Sequence, residues 1–440
     1  MRKVAFHNLG CKVNSYETEA MQQLLEANGY ETVPFEAGAD VYIINTCSVT
    51  NMADRKSRQM LHRAKKMNPD AAVVAVGCYV QAQGEALKED AAVDLIIGNN
   101  RKKELVEILE EYFSERDDVS QEAAAEKKES SYLLDINHTN EYEQLSVTRT
   151  AEHTRAYIKV QDGCNQFCSY CIIPYTRGRI RSRAMDEVIE EIRQLAAAGY
   201  REVVLTGIHL SSYGRDLQEE NGLLNLICAV HEIDGIERIR LGSIEPRVIT
   251  EEFARRASQL PKLCPHFHLS LQSGSNRTLK RMNRKYTAEE LYETCERLRR
   301  YFDLPALTTD VIVGFPQESE EEFEETYAFL EKVKFYETHI FKYSRRKGTP
   351  ADRMEGQIPE EVKHERSRRL LELNQKNRSA YIDSLCGKNV SVLFEEKTEK
   401  NGRICWTGHT MRYLKVNVPD TGEDLAGKIC DCILDKSDVE

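Results

Sequence analysis

Short apolar runs alternate with amphipathic stretches along most of this chain of 440 residues. Up to about residue 113, the stretches at 15–28, 54–67 and 101–113 have the apolar spacing of helices, and the runs between them are typical of buried strands: VAFHNLG, VYIINTC, AAVVAVGC and VDLIIGN. Strands that alternate with helices favour a parallel sheet with right-handed crossovers. We therefore predict an N-terminal parallel α/β domain over residues 1–113.

The same alternation returns between about residues 151 and 375, after a polar, charged stretch at 114–150 that we interpret as a linker. Six strand-and-helix units in the second region favour a partial β/α barrel. A long charged helix is predicted at 360–385, and the short alternating segments that follow it predict a small all-β module at 376–440. The fold class is therefore α/β, with a C-terminal all-β module that is a barrel or a sandwich.

The composition excludes two broad classes of protein. The chain is 41% hydrophobic, with a formal net charge of −11, and it has no apolar run long enough to span a membrane. This argues against a membrane protein and against a disordered one. The N-terminus MRKVAFHNLGCKVN lacks the apolar core of a signal peptide, so we expect a cytoplasmic protein with no membrane partner.

Thirteen cysteines are unusual for such a protein, because cytosolic thiols are kept reduced and clustered ones more often bind metal. Seven of them stand singly or alternate within apolar runs, which is typical of small core residues. These seven are Cys228, Cys264, Cys295, Cys386, Cys405, Cys430 and Cys432. The remaining six form two sets of three.

The first set, Cys11, Cys47 and Cys78, shares one topological position. Each cysteine follows an apolar strand and precedes a helix, in NLGCKVN, INTCSVT and VGCYV. The carboxyl ends of neighbouring parallel strands form a single crevice, so these thiols are expected to meet in space. Three buried structural thiols are the other interpretation of this pattern.

The second set, Cys164, Cys168 and Cys171, lies in the single loop DGCNQFCSYCIIPYTRGR. Structural zinc is normally closed by four protein ligands and catalytic zinc mostly includes histidine, so two all-cysteine triplets fit zinc poorly. Iron–sulfur clusters are held by thiolates, and a cluster with three cysteine ligands keeps one iron open. An open iron in a strongly reducing centre suggests radical chemistry.

The loop CNQFCSYC resembles the CxxxCxxC loop of radical S-adenosylmethionine (SAM) enzymes, including the aromatic residue Tyr170 before the third cysteine. The resemblance implies that Cys164, Cys168 and Cys171 hold a [4Fe–4S] cluster and that SAM chelates the fourth iron. An electron then cleaves SAM to a 5′-deoxyadenosyl radical.

The whole layout resembles the methylthiotransferases, whose C-terminal module is called a TRAM domain. The motifs are most similar to the branch that modifies N6-threonylcarbamoyladenosine at position 37 of tRNA: LGCKVNSYETE, NTCSVTNMADRKSRQ, LTGIHLSSYG, HLSLQSGS and DVIVGFP. The resemblance implies a second [4Fe–4S] cluster on Cys11, Cys47 and Cys78 that carries the sulfur to be inserted. The implied product is the 2-methylthio nucleoside, and an electron donor and a sulfur source are implied as further partners.

We expect SAM contacts at the carboxyl ends of the barrel strands, where such enzymes place their working residues. The candidates are Gly207, Glu245, Gln272, Ser273 and Asp310, besides Tyr170 in the loop. The GxIxGxxE pattern of the family falls on DVIVGFPQ, so that Asp310 replaces its first glycine and Gln317 its acid. No catalytic side chain beyond the cluster ligands is predicted.

Contacts with tRNA are predicted from charge and aromatic character, because an unpaired anticodon-loop base is recognised by stacking and by phosphate contacts. Four arginines follow the cluster loop at alternate positions, which would place them on one side of an extended segment. The RNA-binding candidates are Arg177, Arg179, Arg181, Arg183, Trp406 and Lys415.

Two alternative functions stay open at this point. One is methylthiolation of a ribosomal protein side chain by the same chemistry. The other is a zinc-bearing RNA-binding protein without turnover.

Overall fold

The structure, a computed structural model, describes residues 1–118, 131–149, 154–400 and 402–440. It has two structural units. The first comprises residues 1–147, 161–183 and 344–349, and the second comprises residues 148–160, 184–343 and 350–440. Both units are discontinuous in sequence, whereas the predicted domains are continuous ranges of the chain. The predicted domain limits stay predictions.

The first unit is built on a six-stranded parallel sheet in the order β2-β1-β3-β4-β5-β6. Its strands are β1 Lys3–Asn8, β2 Glu31–Val33, β3 Val41–Thr46, β4 Ala72–Gly77, β5 Leu95–Ile97 and β6 Ser131–Tyr132. Its helices are α1 Lys12–Ala27, α2 Asn51–Met67, α3 Cys78–Leu87 and α4 Leu105–Asp118.

Both faces of this sheet are covered by helices. Every residue of β3 and β4 is buried, as expected for central strands of a parallel sheet that lies between two layers of helices. Helices α1 and α4 pack on one face through Met21, Leu25 and Leu109, and α2 and α3 pack on the other through Leu61 and Val80. The predicted N-terminal parallel α/β architecture is confirmed.

Part of the stretch that we predicted to be a linker is a strand. Residues Ser131–Tyr132 pair in parallel with Ile96–Ile97 and extend the sheet by one strand. The aromatic ring of Tyr132 packs against the core of the first unit. Residues 119–130 of the predicted linker, and residue 150, lie outside the described residues.

The segment 161–183 contains the end of β7 Arg155–Asp162, the helix α5 Ile173–Arg177 and the short strand β8 Arg181–Ser182. Residues Gln161 and Asp162 pair in antiparallel fashion with Ser182 and Arg181, so the segment closes into a loop that begins and ends on neighbouring strands.

The second unit contains the remaining β/α repeats. Its strands are β9 Glu202–Gly207, β10 Arg238–Leu241, β11 His266–Gln272, β12 Ala306–Val313 and β13 Glu337–Lys342. Its helices are α6 Met185–Ala197, α7 Gly222–His231, α8 Glu251–Ala257, α9 Asn276–Arg281, α10 Ala288–Tyr301, α11 Glu320–Val333 and α12 Glu360–Leu385.

These strands form an incomplete barrel. Strand β9 lies between β10 and β7, while β11, β12 and β13 pair in parallel in that order. Two isolated parallel bridges, Ile239 to Leu263 and Ile244 to Leu269, join the two groups of strands. One continuous apolar core, which includes Ile158, Leu205 and Val311, lies between the strands and the helices. The predicted partial β/α barrel is confirmed.

The C-terminal residues form a four-stranded antiparallel sheet in the order β16-β15-β14-β17. The strands are β14 Asn389–Lys400, β15 Arg403–Thr410, β16 Lys415–Pro419 and β17 Ile429–Ile433. This sheet confirms the predicted all-β module. Among the described residues, none of the helices combines the length and the apolar character that crossing a membrane requires.

Candidate iron–sulfur and SAM site

The first three cysteines lie at the carboxyl ends of three neighbouring strands. Cys11 precedes α1 after β1, Cys47 directly follows β3, and Cys78 is the first residue of α3 after β4. Tight turns make this possible: Gly77 has a φ of 98°, and a Cβ atom on it would lie 2.5 Å from Asn45 Oδ1. The three cysteines therefore lie at one edge of the sheet, and their role as cluster ligands stays a prediction.

A buried asparagine ties these strand ends together. Asn14 Nδ2 donates hydrogen bonds to the carbonyl oxygens of Leu9 at 2.7 Å and Thr46 at 3.0 Å. The Thr46 hydroxyl in turn donates to the Val76 carbonyl, so hydrogen bonds link the end of β1 to that of β3 and the end of β3 to that of β4. The cysteines that follow these strands therefore start from a fixed frame.

The thiols of this set are held in a polar but largely enclosed environment. Cys47 and Cys78 are buried and Cys11 is exposed. Burial raises the pKa of the Cys47 thiol to about 11. Cys78 Sγ accepts hydrogen bonds from Arg177 Nε at 3.2 Å and from Asn99 Nδ2 at 3.8 Å. Such donors stabilise a thiolate, which is the form that ligates iron.

Arg177 is the centre of a buried ionic network. Its side chain has no exposed surface, and Nη1 and Nη2 donate to the two carboxylate oxygens of Glu17 at 2.7 and 2.9 Å. Nη1 also donates to Asp162, and Nη2 to Asn14 Oδ1 at 2.8 Å. Burial opposes the charge, but the negative charges of Cys78, Glu17 and Asp162 outweigh it and hold the pKa of Arg177 well above its ordinary value.

The second set of cysteines lies in the loop between β7 and α5. The loop is closed by the hydrogen bond from the Cys164 amide to the Gly178 carbonyl, at 3.0 Å, and by that from the Cys171 amide to the Cys168 carbonyl, at 3.0 Å. Gly163 has a φ of 68°, and a Cβ atom on it would lie 1.7 Å from the Arg179 carbonyl oxygen. The backbone here is therefore fitted to glycine.

The two sets of cysteines belong to one structural unit and share polar contacts. Asp162, two residues before Cys164, binds Arg177, which also binds Cys78. Asn99 donates both to Cys78 Sγ and to the Thr176 carbonyl at 2.8 Å. Three thiols in each set, backed by hydrogen-bond donors and partly open to solvent at Cys11, Cys164 and Cys171, fit clusters ligated by three cysteines.

The structure places the predicted SAM contacts as follows. Tyr170 is half-buried in the cluster loop of the first unit, and the other five candidates lie in the second unit. Gly207 and Gln272 are the last residues of β9 and β11, as predicted, and Ser273 follows β11. Ser273 is buried with its hydroxyl 3.2 Å from that of Thr326. Their role toward SAM stays a prediction.

Glu245 lies beyond β10 in a charged cluster that the sequence did not reveal. Its carboxylate is 3.2 Å from His209 Nε2 and 2.8 Å from Arg284 Nη2. Burial raises the pKa of Glu245, but the hydrogen bond from His209 and the charge of Arg284 outweigh it and the net shift is downward. Glu245 is therefore an anion that can accept hydrogen bonds from a ligand's polar groups.

Asp310 lies within β12 rather than at its end, three residues before Val313. It is 3.2 Å from Nε2 of His268 on β11, and His339 on β13 completes a group whose candidate ligand atoms are all within 4.8 Å of one another. Both histidines were missed. The sequences HFHLSLQ and THIFKYS contain a pattern that could have identified both histidines as site candidates. A polar residue inside an apolar strand marks the face that does not pack on the helices.

A buried acid follows the DVIVGFPQ motif directly. Glu318 is buried and its Oε2 accepts a hydrogen bond from the Gly314 amide at 2.7 Å. Gln317 has a φ of 64°, and this turn brings the next residue back to the end of β12. Arg366 holds Glu318 through a second bond at 2.7 Å.

Three of the four arginines predicted to bind phosphate do not face solvent. Arg177 ends the helix α5 instead of lying in an extended segment, and Arg177, Arg181 and Arg183 are buried. Their burial does not fit direct contact with RNA. Arg179 is exposed, with its guanidinium 4.5 Å from the ring centre of Phe167, and its phosphate contact stays a prediction.

The aromatic candidate of the C-terminal sheet is a core residue. Trp406 is 4% exposed, packs with Phe394 and Val416, and donates its indole N–H to the Glu423 carbonyl at 2.9 Å. This packing does not fit a stacking platform for bases. Lys415 is partly exposed and pairs with Glu440 at 2.6 Å, and its RNA contact stays a prediction.

Comparison with known protein families agrees with this geometry. Residues 158–330 match the Radical SAM superfamily, and residues 3–98 match the uncharacterized protein family UPF0004. The first match spans the cluster loop and the barrel strands up to β12. The second spans strands β1 to β5, which include the three strands whose ends bear Cys11, Cys47 and Cys78. The fold and the site define a radical SAM enzyme, which uses SAM and a [4Fe–4S] cluster.

Relatives of known activity narrow the class. The chain is 42% identical to threonylcarbamoyladenosine tRNA methylthiotransferase MtaB of Bacillus subtilis over 98% of this chain and 93% of the relative. It is 43% identical to the protein of the same name from Aquifex aeolicus, over 90% and 93% of the two chains. It is 37% identical to tRNA-2-methylthio-N(6)-dimethylallyladenosine synthase of Acetivibrio thermocellus, over 96% and 86%. The chain belongs to the radical SAM methylthiotransferase family.

A solved structure shows the same fold at low sequence identity. The radical S-adenosylmethionine methyltransferase TsrM of Kitasatospora setae, with cobalamin and a [4Fe–4S] cluster bound, superposes with a TM-score of 0.60 at 17% identity. The match covers 80% of this chain and 77% of that one.

Proposed function

We propose that the protein inserts a methylthio group at C2 of N6-threonylcarbamoyladenosine at position 37 of tRNA, giving 2-methylthio-N6-threonylcarbamoyladenosine. The observation that carries the proposal is that two three-cysteine sets share one structural unit and one buried network. The choice of this adenosine is supported by the two relatives of 42% and 43% identity, which bear that name.

When bound, the clusters and SAM supply the one-electron chemistry, the sulfur and the methyl group that replace the hydrogen on C2. The protein residues supply position and charge. Arg177 offsets the carboxylates of Glu17 and Asp162 and fixes the Cys78 thiolate from one side, while Asn14 holds the strand ends. Holding reacting groups in a fixed geometry can lower the activation free energy by several kcal/mol, with an upper range of about 7 to 11 kcal/mol.

The stoichiometry requires further partners. The reaction replaces hydrogen by sulfur, so each turnover consumes a sulfur atom that the chain must regain from a sulfur source. The one-electron chemistry likewise needs an electron donor. We propose that both act on the first structural unit, where both cysteine sets lie.

The proposal is tested by analysing tRNA nucleosides. Liquid chromatography with mass spectrometry on tRNA from a deletion strain should show threonylcarbamoyladenosine without its methylthio derivative, and the wild-type gene should restore it. Unchanged methylthio-threonylcarbamoyladenosine in the deletion strain would contradict the proposal. Loss of a modified ribosomal protein residue instead would support the alternative protein substrate.

A cysteine variant tests the division of labour between the two sets. In Cys78→Ala, the loop with Cys164, Cys168 and Cys171 is unchanged, so we expect reductive cleavage of SAM to 5′-deoxyadenosine to continue while methylthiolation is lost. Iron and acid-labile sulfide analysis of anaerobically purified protein should show that about half of each is lost relative to wild type.

Loss of 5′-deoxyadenosine formation in Cys78→Ala, with the barrel cluster still loaded, would contradict this division. Zinc in place of iron and sulfide in the wild-type protein would instead support the turnover-free alternative.

A further inference from the structure

Helix α2 carries a strong positive charge in an acidic protein. Residues 51–67 contain six Lys or Arg and one acid, Asp54, whereas the whole chain has a net charge of −11. The uncommitted cations lie on one side: Arg55, Lys56, Arg63 and Lys66 are exposed, and at about 100° per residue they share an arc of roughly 100°. We call these four residues the α2 basic stripe.

The carboxylates around this helix are already paired with other groups. Asp54 binds Arg346 at 2.8 Å, Asp90 binds His62 at 2.9 Å, and Asp94 binds Lys65 at 2.9 Å. Within the described ranges of the chain, no carboxylate lies within ion-pairing distance of any member of the stripe. The stripe is therefore an uncompensated positive surface and not a salt-bridged face.

The opposite face of α2 is attached to a cluster cysteine. Ser57 is buried, and its hydroxyl is 3.3 Å from both the amide nitrogen and the carbonyl oxygen of Cys47. At the start of the helix, Val49 and Met52 expose 54% and 58% of their surface. The end of α2 at which the stripe begins thus also carries an exposed apolar pair, and the opposite face of the helix contacts Cys47.

A second basic segment packs against the first turn of α2. Residues 344–349 belong to the first unit, and Arg346 is buried against Asn51 and Asp54 in the first turn of α2. Asn51 also donates to the Arg345 carbonyl at 2.7 Å. The neighbouring Lys347 is exposed, so it adds charge at the end of the helix nearest to Cys47.

We infer that the α2 basic stripe is a docking surface for the phosphate backbone of the anticodon stem of the substrate tRNA, an inference that rests on the proposed function. The stripe runs for about 16 Å along the helix, from Arg55 to Lys66, long enough for several phosphates of one strand. The exposed Val49 and Met52 lie where unpaired loop bases need apolar surface. This orientation brings the loop to Cys47 while the stem follows the helix.

The test is a variant that removes the four positive charges of the stripe, with a matched control. The variant Arg55→Ala, Lys56→Ala, Arg63→Ala and Lys66→Ala keeps the helix, because alanine is the best helix former. The control removes the same charge from four exposed residues of other helices: Arg193→Ala, Arg255→Ala, Arg300→Ala and Lys376→Ala. Both variants should retain wild-type iron content and wild-type SAM cleavage without RNA.

Binding of a synthetic anticodon stem-loop that carries threonylcarbamoyladenosine is measured by fluorescence anisotropy at several KCl concentrations. For the stripe variant, the slope of the logarithm of the association constant against the logarithm of the KCl concentration should fall in magnitude by about three. Each phosphate contact contributes roughly 0.7 to 0.9 to this slope, and the variant removes the four cations of the stripe. KM for this RNA should rise on the order of tenfold or more with kcat little changed. The control should behave like wild type.

A stripe variant with the slope and KM of the wild type would overturn the inference. So would a variant that loses binding to anionic phospholipid vesicles while its RNA binding is unchanged, which would indicate a membrane surface instead. Failure of the proposed function is a distinct result, because the wild-type enzyme would then bind the stem-loop with the predicted slope but form no methylthio product.

Discussion

Arg177 shows how one residue links two parts of the sequence that are far apart. It follows the cluster loop at a distance of six positions from Cys171, and its partners Glu17 and Asn14 belong to the first helix. A buried arginine without its carboxylates is an uncompensated charge in a medium of low polarity, and so are the buried carboxylates without the arginine. The residue therefore contributes to stability as well as to the position of Cys78.

Replacing Arg177 by methionine should strongly destabilise the first unit. Arg177→Met leaves Glu17 and Asp162 buried without their main counter-charge, and we expect the free energy of unfolding to fall by about 3 to 5 kcal/mol. Urea unfolding of the metal-free protein under reducing conditions measures this.

The matched control is Arg179→Met, which removes an exposed arginine two positions away and should cost less than about 1 kcal/mol. The double variant Arg177→Met, Glu17→Gln should recover part of the loss. Equal losses for the two single variants would show that the buried network does not stabilise the protein.

The buried role of this arginine was not predictable from local pattern. Arginines at alternate positions in RGRIRSR indicate a solvated basic face, and that pattern holds only for Arg179. The partners that bury Arg177 lie 160 and 163 positions away, and no periodicity in one sequence reports such a pairing. The six cysteines were easier to select as candidate cluster ligands, because strand ends and a short loop can be recognised from the local sequence.

At the scale of secondary structure elements, apolar periodicity located most of the fold. The helix predicted at 360–385 coincides with Glu360–Leu385, and the strands predicted in the first region all exist. The helix Cys78–Leu87 was predicted only as a helix after Cys78, without bounds, because CYVQAQGEAL has no clear apolar repeat and contains a glycine. Strand Ser131–Tyr132 was missed because two residues are too few to form a pattern.

The cluster loop depends on a glycine more strictly than other turns do. Gly163 and Gly29 both have positive φ values, 68° and 86°, but only at Gly163 would a Cβ atom meet backbone, 1.7 Å from the Arg179 carbonyl oxygen. We expect Gly29→Ala to lower the free energy of unfolding by about 1 to 2 kcal/mol from backbone strain alone.

Gly163→Ala should cost at least 1 kcal/mol more than Gly29→Ala, because the loop must shift to remove the overlap. Chemical denaturation measures both variants, and iron content per chain should fall only in Gly163→Ala. Equal stability and iron content in the two variants would show that the loop adapts without cost.

On the scale of the whole molecule, a buried carboxylate joins the barrel to the C-terminal sheet within the second unit. Glu202 on β9 is fully buried and 2.9 Å from Arg240 Nε, with Arg238 and Arg155 nearby. The two arginines of β10 also donate to C-terminal residues: Arg240 to the Thr410 and Met411 carbonyls, and Arg238 to the His409 carbonyl. The sheet is thus attached through an ionic network.

This network predicts a pH dependence of stability. Burial raises the pKa of Glu202, but the charge and hydrogen bond of Arg240 outweigh it and the net shift is downward from 4.5. A depressed pKa contributes stability that is present above pH 4.5 and is lost as the pH falls through the folded-state value. The wild-type protein should therefore lose free energy of unfolding as the pH falls below about 4.5.

Glu202→Gln removes that dependence. We expect it to be less stable than wild type at pH 7 by about 3 kcal/mol and to have a flatter profile in acid, measured by urea unfolding across pH. Glu220→Gln, at an exposed position, should follow the wild-type profile. A Glu202→Gln profile as steep as that of the wild type would assign the acid sensitivity to other groups.

The chain passes between its two structural units five times, and the short segments 161–183 and 344–349 return to the first. The enzyme is therefore not modular in the way its linear order suggests. A chimera with a single junction near residue 150 would combine the Glu17 of one parent with the Arg177 of the other. Recombination between related enzymes should succeed only when segments 161–183 and 344–349 come from the same parent as residues 1–147. The parts of the chain that must be inherited together then define the domain.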